Sequence, residues 1–234
     1  MTMLNTPRNT GVGVLSSRRQ FTGADGEPIE LSPTAPLLFV LSGPAGVGKD
    51  TIFNKLRERD NSRHYAITVT TRTPRPGETD GVHYHFRSQA QFMQMHAAGE
   101  FLEWAEVYGN YFGTPVSEIR AAYAGKTDTV MKIDVQGAAM IKRAIPEAVL
   151  IFIAPSSYAE LVPRLTGRKT ETVQQRETRL EAARKELEAL HQFDYVIVNR
   201  DGGLIRTVDD VESIIKTEKL RVQPAVYHIP SHLT

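Results

Sequence analysis

The chain of 234 residues has no cysteine. That absence excludes a disulfide framework, a cysteine zinc site, an iron–sulfur cluster and a thiol nucleophile, and it fits a reducing compartment such as the cytoplasm. No run approaches the roughly 18 apolar residues of a membrane span, and the N-terminus offers no apolar stretch for a secretion signal, so no membrane partner is expected. Excess charge of either sign is missing too. With 28 Lys+Arg against 27 Asp+Glu the net charge is +1, which gives no general reason to bind nucleic acid, and any cationic function must be local. No internal repeat of fixed period is present. What remains is 41% hydrophobic and 24% charged residues, enough to bury a sizeable core and to exclude disorder throughout. A single α/β domain with a small lobe is the expectation.

Residues 1–35 are rich in Thr, Ser, Gly and Pro and close with Ser32-Pro33-Thr34-Ala35-Pro36. Arg8, Arg18 and Arg19 without acidic neighbours are shared by transit peptides and plain extensions. The segment shows no amphipathic period, so a flexible extension is the reading adopted. Regular structure is expected from Leu37, where Leu37-Leu38-Phe39-Val40-Leu41 forms a continuous apolar run, the pattern of a parallel strand covered on both faces. Similar runs at residues 129–135, 148–154 and 195–198, with helical stretches between the later ones, predict a doubly wound parallel sheet. Between Thr68 and Thr114 short alternating segments broken by Pro and Gly predict an inserted antiparallel lobe with one helix near residues 89–98. Thr172-x-x-Gln175 resembles a capping box before a long helix carrying Leu180, Ala183, Leu187 and Leu190 on one face. The expected organisation is an extension over 1–35, a domain over 36–220 with its lobe at 68–115 and a lid at 164–185, and a tail over 221–234.

Gly43-Pro44-Ala45-Gly46-Val47-Gly48-Lys49 matches the first seven positions of the phosphate-binding P-loop, between a predicted strand and a predicted helix. Glycines let the chain curl so that successive N–H groups and the helix N-terminus face phosphate oxygens, and Lys49 adds a point charge. One position departs from the pattern: Asp50 stands where Ser or Thr offers Mg²⁺ a hydroxyl, with Thr51 after it. A carboxylate can ligate Mg²⁺, so nucleotide is expected to bind with its metal, and Asp50 is the candidate metal ligand. A GTPase base-reading motif is absent, Asn199-Arg200-Asp201-Gly202 being a poor substitute.

The segment from Thr70 to Phe86 places Arg72 and Arg75 beside a proline-stiffened turn and then Tyr84 on a strand, a set suited to a phosphate monoester. This segment, the P-loop, the stretches Gly99–Ala105 and Tyr108–Thr114, Ile133-Asp134-Val135-Gln136-Gly137 and Val196–Asn199 together resemble the guanylate kinase family. The likeness runs from about Leu37 to Lys219. It implies a P-loop α/β fold with a small mixed-β acceptor lobe and a helical lid, and transfer of the γ-phosphoryl group of ATP to GMP with Mg²⁺. It also implies roles. Arg72, Arg75 and Tyr84 would hold the GMP phosphate, and Glu103 would accept from guanine N1–H and the 2-amino group, with Thr68, Thr114 and Asp134 completing the base pocket. Arg164, Arg168 and Arg179 would close over the phosphates with Lys49, and Asn199 would lie near the adenine. A carboxylate suits guanine because adenine presents no such donor pair, and a good paired contact discriminates by about 1–3 kcal/mol.

Two further positions depart from the family. Phe112 replaces a tyrosine, and Lys132 replaces an acidic residue two positions before Asp134. With Asp50, the second swap implies a rearranged charge pattern, the carboxylate having moved from the strand to the loop. His83 and His85 read as strand packing or surface residues, lacking a third metal ligand nearby. ATP and GMP are the expected partners of a monomer or weak homo-oligomer. Two other readings stay open: a ribose 1,5-bisphosphate phosphokinase, which shares Gly-Lys-Asp in its loop, and a non-catalytic guanylate-kinase-like module that binds proteins.

Overall fold

The computed structural model describes residues 20–22, 28–30, 36–166, 173–221 and 227–230, and divides into two units, Met1–Ala35 and Pro36–Thr234. In the first, β1 (Gln20–Thr22) and β2 (Pro28–Glu30) pair antiparallel, with Phe21 opposite Ile29. The sequence reading starts regular structure at Leu37; strands of three residues are too short to carry a period-two signal.

The second unit opens with β3 (Leu38–Ser42), the P-loop, α1 (Lys49–Arg59) and β4 (His64–Tyr65). The lobe follows: β5 (Val69–Thr70), β6 (His85–Phe86), α2 (Gln89–Ala97), β7 (Phe101–Val107) and β8 (Asn110–Pro115). The chain continues through α3 (Val116–Ala124), β9 (Thr129–Lys132), α4 (Val135–Ala144), β10 (Val149–Pro155) and α5 (Tyr158–Thr166). It then forms α6 (Val173–Glu188), β11 (Tyr195–Asn199) and α7 (Leu204–Lys219). The main sheet has five strands in the order β11-β10-β3-β9-β4, every pair parallel. The lobe is a four-stranded sheet in the order β6-β5-β8-β7, mixed because β5 and β6 run parallel while the other pairs are antiparallel.

The uninterrupted apolar run of β3 has a simple cause. Phe39 and Leu41 enter one core with Ile52, Leu56, Val208 and Val211, while Leu38 and Val40 enter a second core with Ile119, Ala138 and Ile141 on the opposite face. All seven residues of β10 are buried in the same way. With both faces covered, the C-terminal ends of the strands become the open edge of the sheet, where α/β folds bind ligands.

Tyr227, assigned to a tail, is fully buried in the second core, its ring 5.5 Å from that of Tyr123; a lone aromatic in an aperiodic stretch gives no packing signal. The capping box cannot be compared, because Thr172 lies outside the described residues. The helix itself is present, with Ala183 fully buried.

Candidate active site

A cleft of about 780 Å³ lies at the strand C-termini, bounded by the P-loop, the lobe and α6. Its donor end is built from glycines. Gly43 has φ +136°, and a Cβ there would sit 2.2 Å from the Ile153 carbonyl oxygen, so the loop turns directly against β10 and tolerates no side chain. Gly48, at φ +100°, is the N-cap of α1. Lys49 begins the helix and folds back, its Nζ donating to the carbonyls of Gly43 at 2.5 Å and Pro44 at 3.0 Å. Burial lowers the Lys49 pKa, opposed chiefly by the carboxylates of Glu186 and Asp50. Glu186, on α6, accepts from the Ala45 N–H at 3.0 Å, placing an anion on the loop that sequence reasoning assigns to phosphate.

The acceptor end contains a buried carboxyl whose ionisation is strongly perturbed. Glu103, on β7, is 4% exposed, and its Oε1 accepts from the Thr114 N–H at 3.0 Å and the Thr114 hydroxyl at 2.7 Å. Burial pushes its pKa up to about 8; the nearby Asp134 carboxylate adds to the rise and the Thr114 hydrogen bonds oppose it. Asp134 caps α4 by accepting from the Gly137 N–H at 2.8 Å. Gly137 lies against Glu103: a Cβ there would stand 2.4 Å from Glu103 Oε2. Thr68 is buried at the cleft wall.

The anion-binding candidates lie between these ends. Arg72 is held bidentate by Glu78, both contacts 2.8 Å, and its guanidinium is 5.3 Å from the Tyr84 ring. Arg75 lines the cleft beside it, and Phe112 packs edge-on to Tyr84 with ring centres 6.1 Å apart. The Tyr84 hydroxyl donates to Asp50 Oδ1 at 3.0 Å and accepts from Lys132 Nζ at 3.0 Å. Lys132 Nζ also donates to Asp50 Oδ1. Asp50 and Lys132, two of the three positions that depart from the family pattern, are thus in direct contact.

The lid residues are divided. Arg179 enters the cleft, 8% exposed, donating to the Leu165 carbonyl at 2.9 Å and lying 5.3 Å from the Tyr108 ring. Arg164 lines the cleft while paired with Asp201. Arg168 lies outside the described residues. Asn199 sits behind the P-loop, its Nδ2 donating to the Val47 carbonyl at 2.7 Å and its Oδ1 accepting from the Thr207 hydroxyl at 3.0 Å. One end of this amide supports the loop and the other is anchored to α7. His83 Nδ1 accepts from the Thr79 N–H at 3.1 Å. Sequence reasoning passed over Glu186 and assigned no role to Gly137. The quoted Ile133–Gly137 stretch contained the second, whereas nothing in the charge-rich sequence of α6 distinguishes the first.

For Mg²⁺ the donor chemistry fits. The half-exposed Asp50 carboxylate and the neighbouring Thr51 both line the cleft and offer the hard oxygens the ion prefers, in the small number usual when phosphates and water complete its shell.

A parallel sheet whose glycine loop ends in a buried-side lysine, facing a lobe that encloses a carboxyl, makes this a P-loop phosphotransferase with separate donor and acceptor halves. The guanylate kinase family model matches residues 36–218. A guanylate kinase of Halalkalibacterium halodurans is 43% identical over 194 residues, spanning 82% of this chain and 94% of that protein. Guanylate kinase 2, chloroplastic/mitochondrial, of Oryza sativa subsp. japonica is 42% identical over 84% of this chain and 70% of its own length. The crystal structure of guanylate kinase from Anaplasma phagocytophilum superposes with a TM-score of 0.67 at 32% identity, covering 80% of this chain and 88% of that one. The chain belongs to the guanylate kinase family.

Proposed function

We propose the following division of labour for the guanylate kinase reaction, ATP:GMP phosphotransfer, that this chain carries out. The buried Glu103, braced by Thr114 and backed by Gly137, is the observation that carries the reading: a sugar bisphosphate gives no reason to enclose a carboxyl at the acceptor end. Glu103 accepts from guanine N1–H and the 2-amino group, and Thr68, Thr114 and Asp134 complete the base pocket. Arg72, Arg75 and Tyr84 hold the GMP phosphate. The P-loop from Gly43 to Thr51 holds the ATP phosphates, shaped from behind by Asn199, and Lys49, Arg164, Arg168 and Arg179 spread the negative charge of the transferring group.

Phosphoryl transfer needs alignment and charge neutralisation and no nucleophilic side chain, because the acceptor phosphate oxygen is itself the nucleophile. Mg²⁺ accompanying ATP would be held by Asp50 and Thr51 and would supply charge neutralisation on the β- and γ-phosphates. Closure of the 68–115 lobe and the 164–185 lid excludes water that would otherwise take the phosphoryl group. We place this reaction in the cytoplasm, which the cysteine-free composition fits, with ATP and GMP as partners of a monomer or weak homo-oligomer.

An ADP-release assay with MgATP, comparing GMP, AMP, UMP and ribose 1,5-bisphosphate at equal concentration, tests the assignment. Turnover confined to GMP is expected. Preference for the sugar bisphosphate would overturn it, and ATP binding without turnover would move the chain to the non-catalytic class.

A further inference from the structure

Lys132 ends β9 at the centre of the cleft, where three parts of the fold meet. Its Nζ joins Asp50, 82 residues away on α1, and Tyr84, 48 residues away in the lobe. Its side chain is 9% exposed, against 51% for Asp50. The ammonium also lies 4.3 Å from the centre of the Tyr84 ring and 5.3 Å from that of Phe53. On the other side of this cluster Arg72 approaches the same Tyr84 ring at 5.3 Å. Two cations therefore converge on one phenol, and each is matched by a carboxylate of the protein, Asp50 for Lys132 and Glu78 for Arg72.

We propose that Lys132 is a third cationic ligand of the acceptor phosphate, and that Asp50 is the counter-ion it leaves when the acceptor binds. This rests on the assignment of Arg72 and Tyr84 to that phosphate. A nearly buried ammonium needs an anion at all times. Its partner Asp50 is the more solvated of the two, so water takes over the carboxylate when the bond to Lys132 is given up. A dianionic phosphate beside Tyr84 meets the ammonium through the same N–H groups that now serve Asp50 and the phenol, and gains more from a point charge than a monoanionic carboxylate does. The contact is made to the phosphate alone, so it adds affinity for the nucleotide and none for the nucleoside.

The test is equilibrium binding without ATP or Mg²⁺, comparing GMP with guanosine on the full chain. Lys132→Met is expected to weaken GMP by about tenfold to a hundredfold and to leave guanosine within twofold, since one charge-assisted contact is removed from the phosphate only. Asp50→Asn, which keeps an acceptor oxygen for Lys132 but removes the competing charge, is expected to tighten GMP several-fold, again without effect on guanosine. Lys132→Arg retains the cation and is expected to keep most of the difference between GMP and guanosine. Equal GMP affinity in the parent chain and Lys132→Met, with only the melting temperature lowered, would overturn the proposal and leave a purely structural ion pair. If Lys132→Met does not fold, unchanged or weaker GMP binding by Asp50→Asn overturns it independently. Absence of guanosine binding and of GMP turnover in the parent chain would instead defeat the functional assignment.

Discussion

Gly137→Ala offers the sharpest separation of the two halves of the cleft. The added Cβ would stand 2.4 Å from Glu103 Oε2 and 3.1 Å from its Cδ. An unstrained carbon–oxygen approach is about 3.3 Å, so the carboxyl group must retreat by roughly 1 Å. It cannot do so without cost, because Oε1 is fixed by two hydrogen bonds from Thr114. The backbone at Gly137 is ordinary helix, where alanine is favoured over glycine by about 1 kcal/mol, which partly offsets an overpacking penalty of about 1–3 kcal/mol. Folding is therefore nearly preserved while the carboxyl loses its alignment with guanine. A paired base contact of about 1–3 kcal/mol corresponds to GMP binding weaker by about fivefold to 150-fold. The P-loop lies on other elements, so ATP affinity stays within twofold. Calorimetric titration of each nucleotide, with a thermal melt of the same sample, reads all three quantities. GMP affinity unchanged in a folded variant would refute the placement of Glu103 as the base reader.

The other predictions concern charge. Glu103 must be ionised to accept two hydrogen bonds from guanine, and burial pushes its pKa up to about 8. Guanosine affinity should therefore rise with pH, by about fivefold between pH 7 and 8, as the proton that must leave is lost in advance. Guanosine avoids interference from the phosphate of GMP, and Glu103→Gln should abolish the slope; a flat profile in the parent chain would contradict the raised pKa. Glu186 places a carboxylate on the Ala45 N–H and near Lys49, so Glu186→Gln is expected to bind metal-free ATP about threefold to tenfold more tightly. Weaker ATP binding would show that the carboxylate supports the loop rather than competing with phosphate. Lys49→Ala is expected to reduce kcat by at least a hundredfold with GMP affinity unchanged, and near-full turnover would overturn the mechanism.

Legibility in the sequence followed the range of the interaction. The P-loop and β3 were readable because a strand, a glycine turn and a helix lie within about twenty consecutive residues and each obeys a local rule. The lobe was readable as a change of pattern, although the parallel pairing of β5 with β6 was not, since two-residue strands carry no direction. The charge exchange between positions 50 and 132 was visible as two departures, whereas their contact depends on β9 lying beside β3. Glu186 was not legible at all. It sits among Arg184, Lys185 and Glu188 on a helix with charge on several faces, and only the docking of α6 selects it for a partner 141 residues away. Gly137 stood in the Ile133–Gly137 stretch without a role of its own, and its reason is a carboxyl arriving from another element.

The unequal exposure of Asp50 and Lys132 also makes the two half-exchanged chains unequal in cost. A chain that acquires Lys132 first must fold around a nearly buried cation with no anion beside it, at about 3–5 kcal/mol, a large share of a domain's stability. A chain that acquires Asp50 first sets it against the acidic residue that the family pattern has at position 132, a repulsion screened by the water that reaches Asp50. Both orders carry a cost, and the unpaired buried cation makes lysine-first the larger, so anyone moving this pair into a relative should install the aspartate before the lysine.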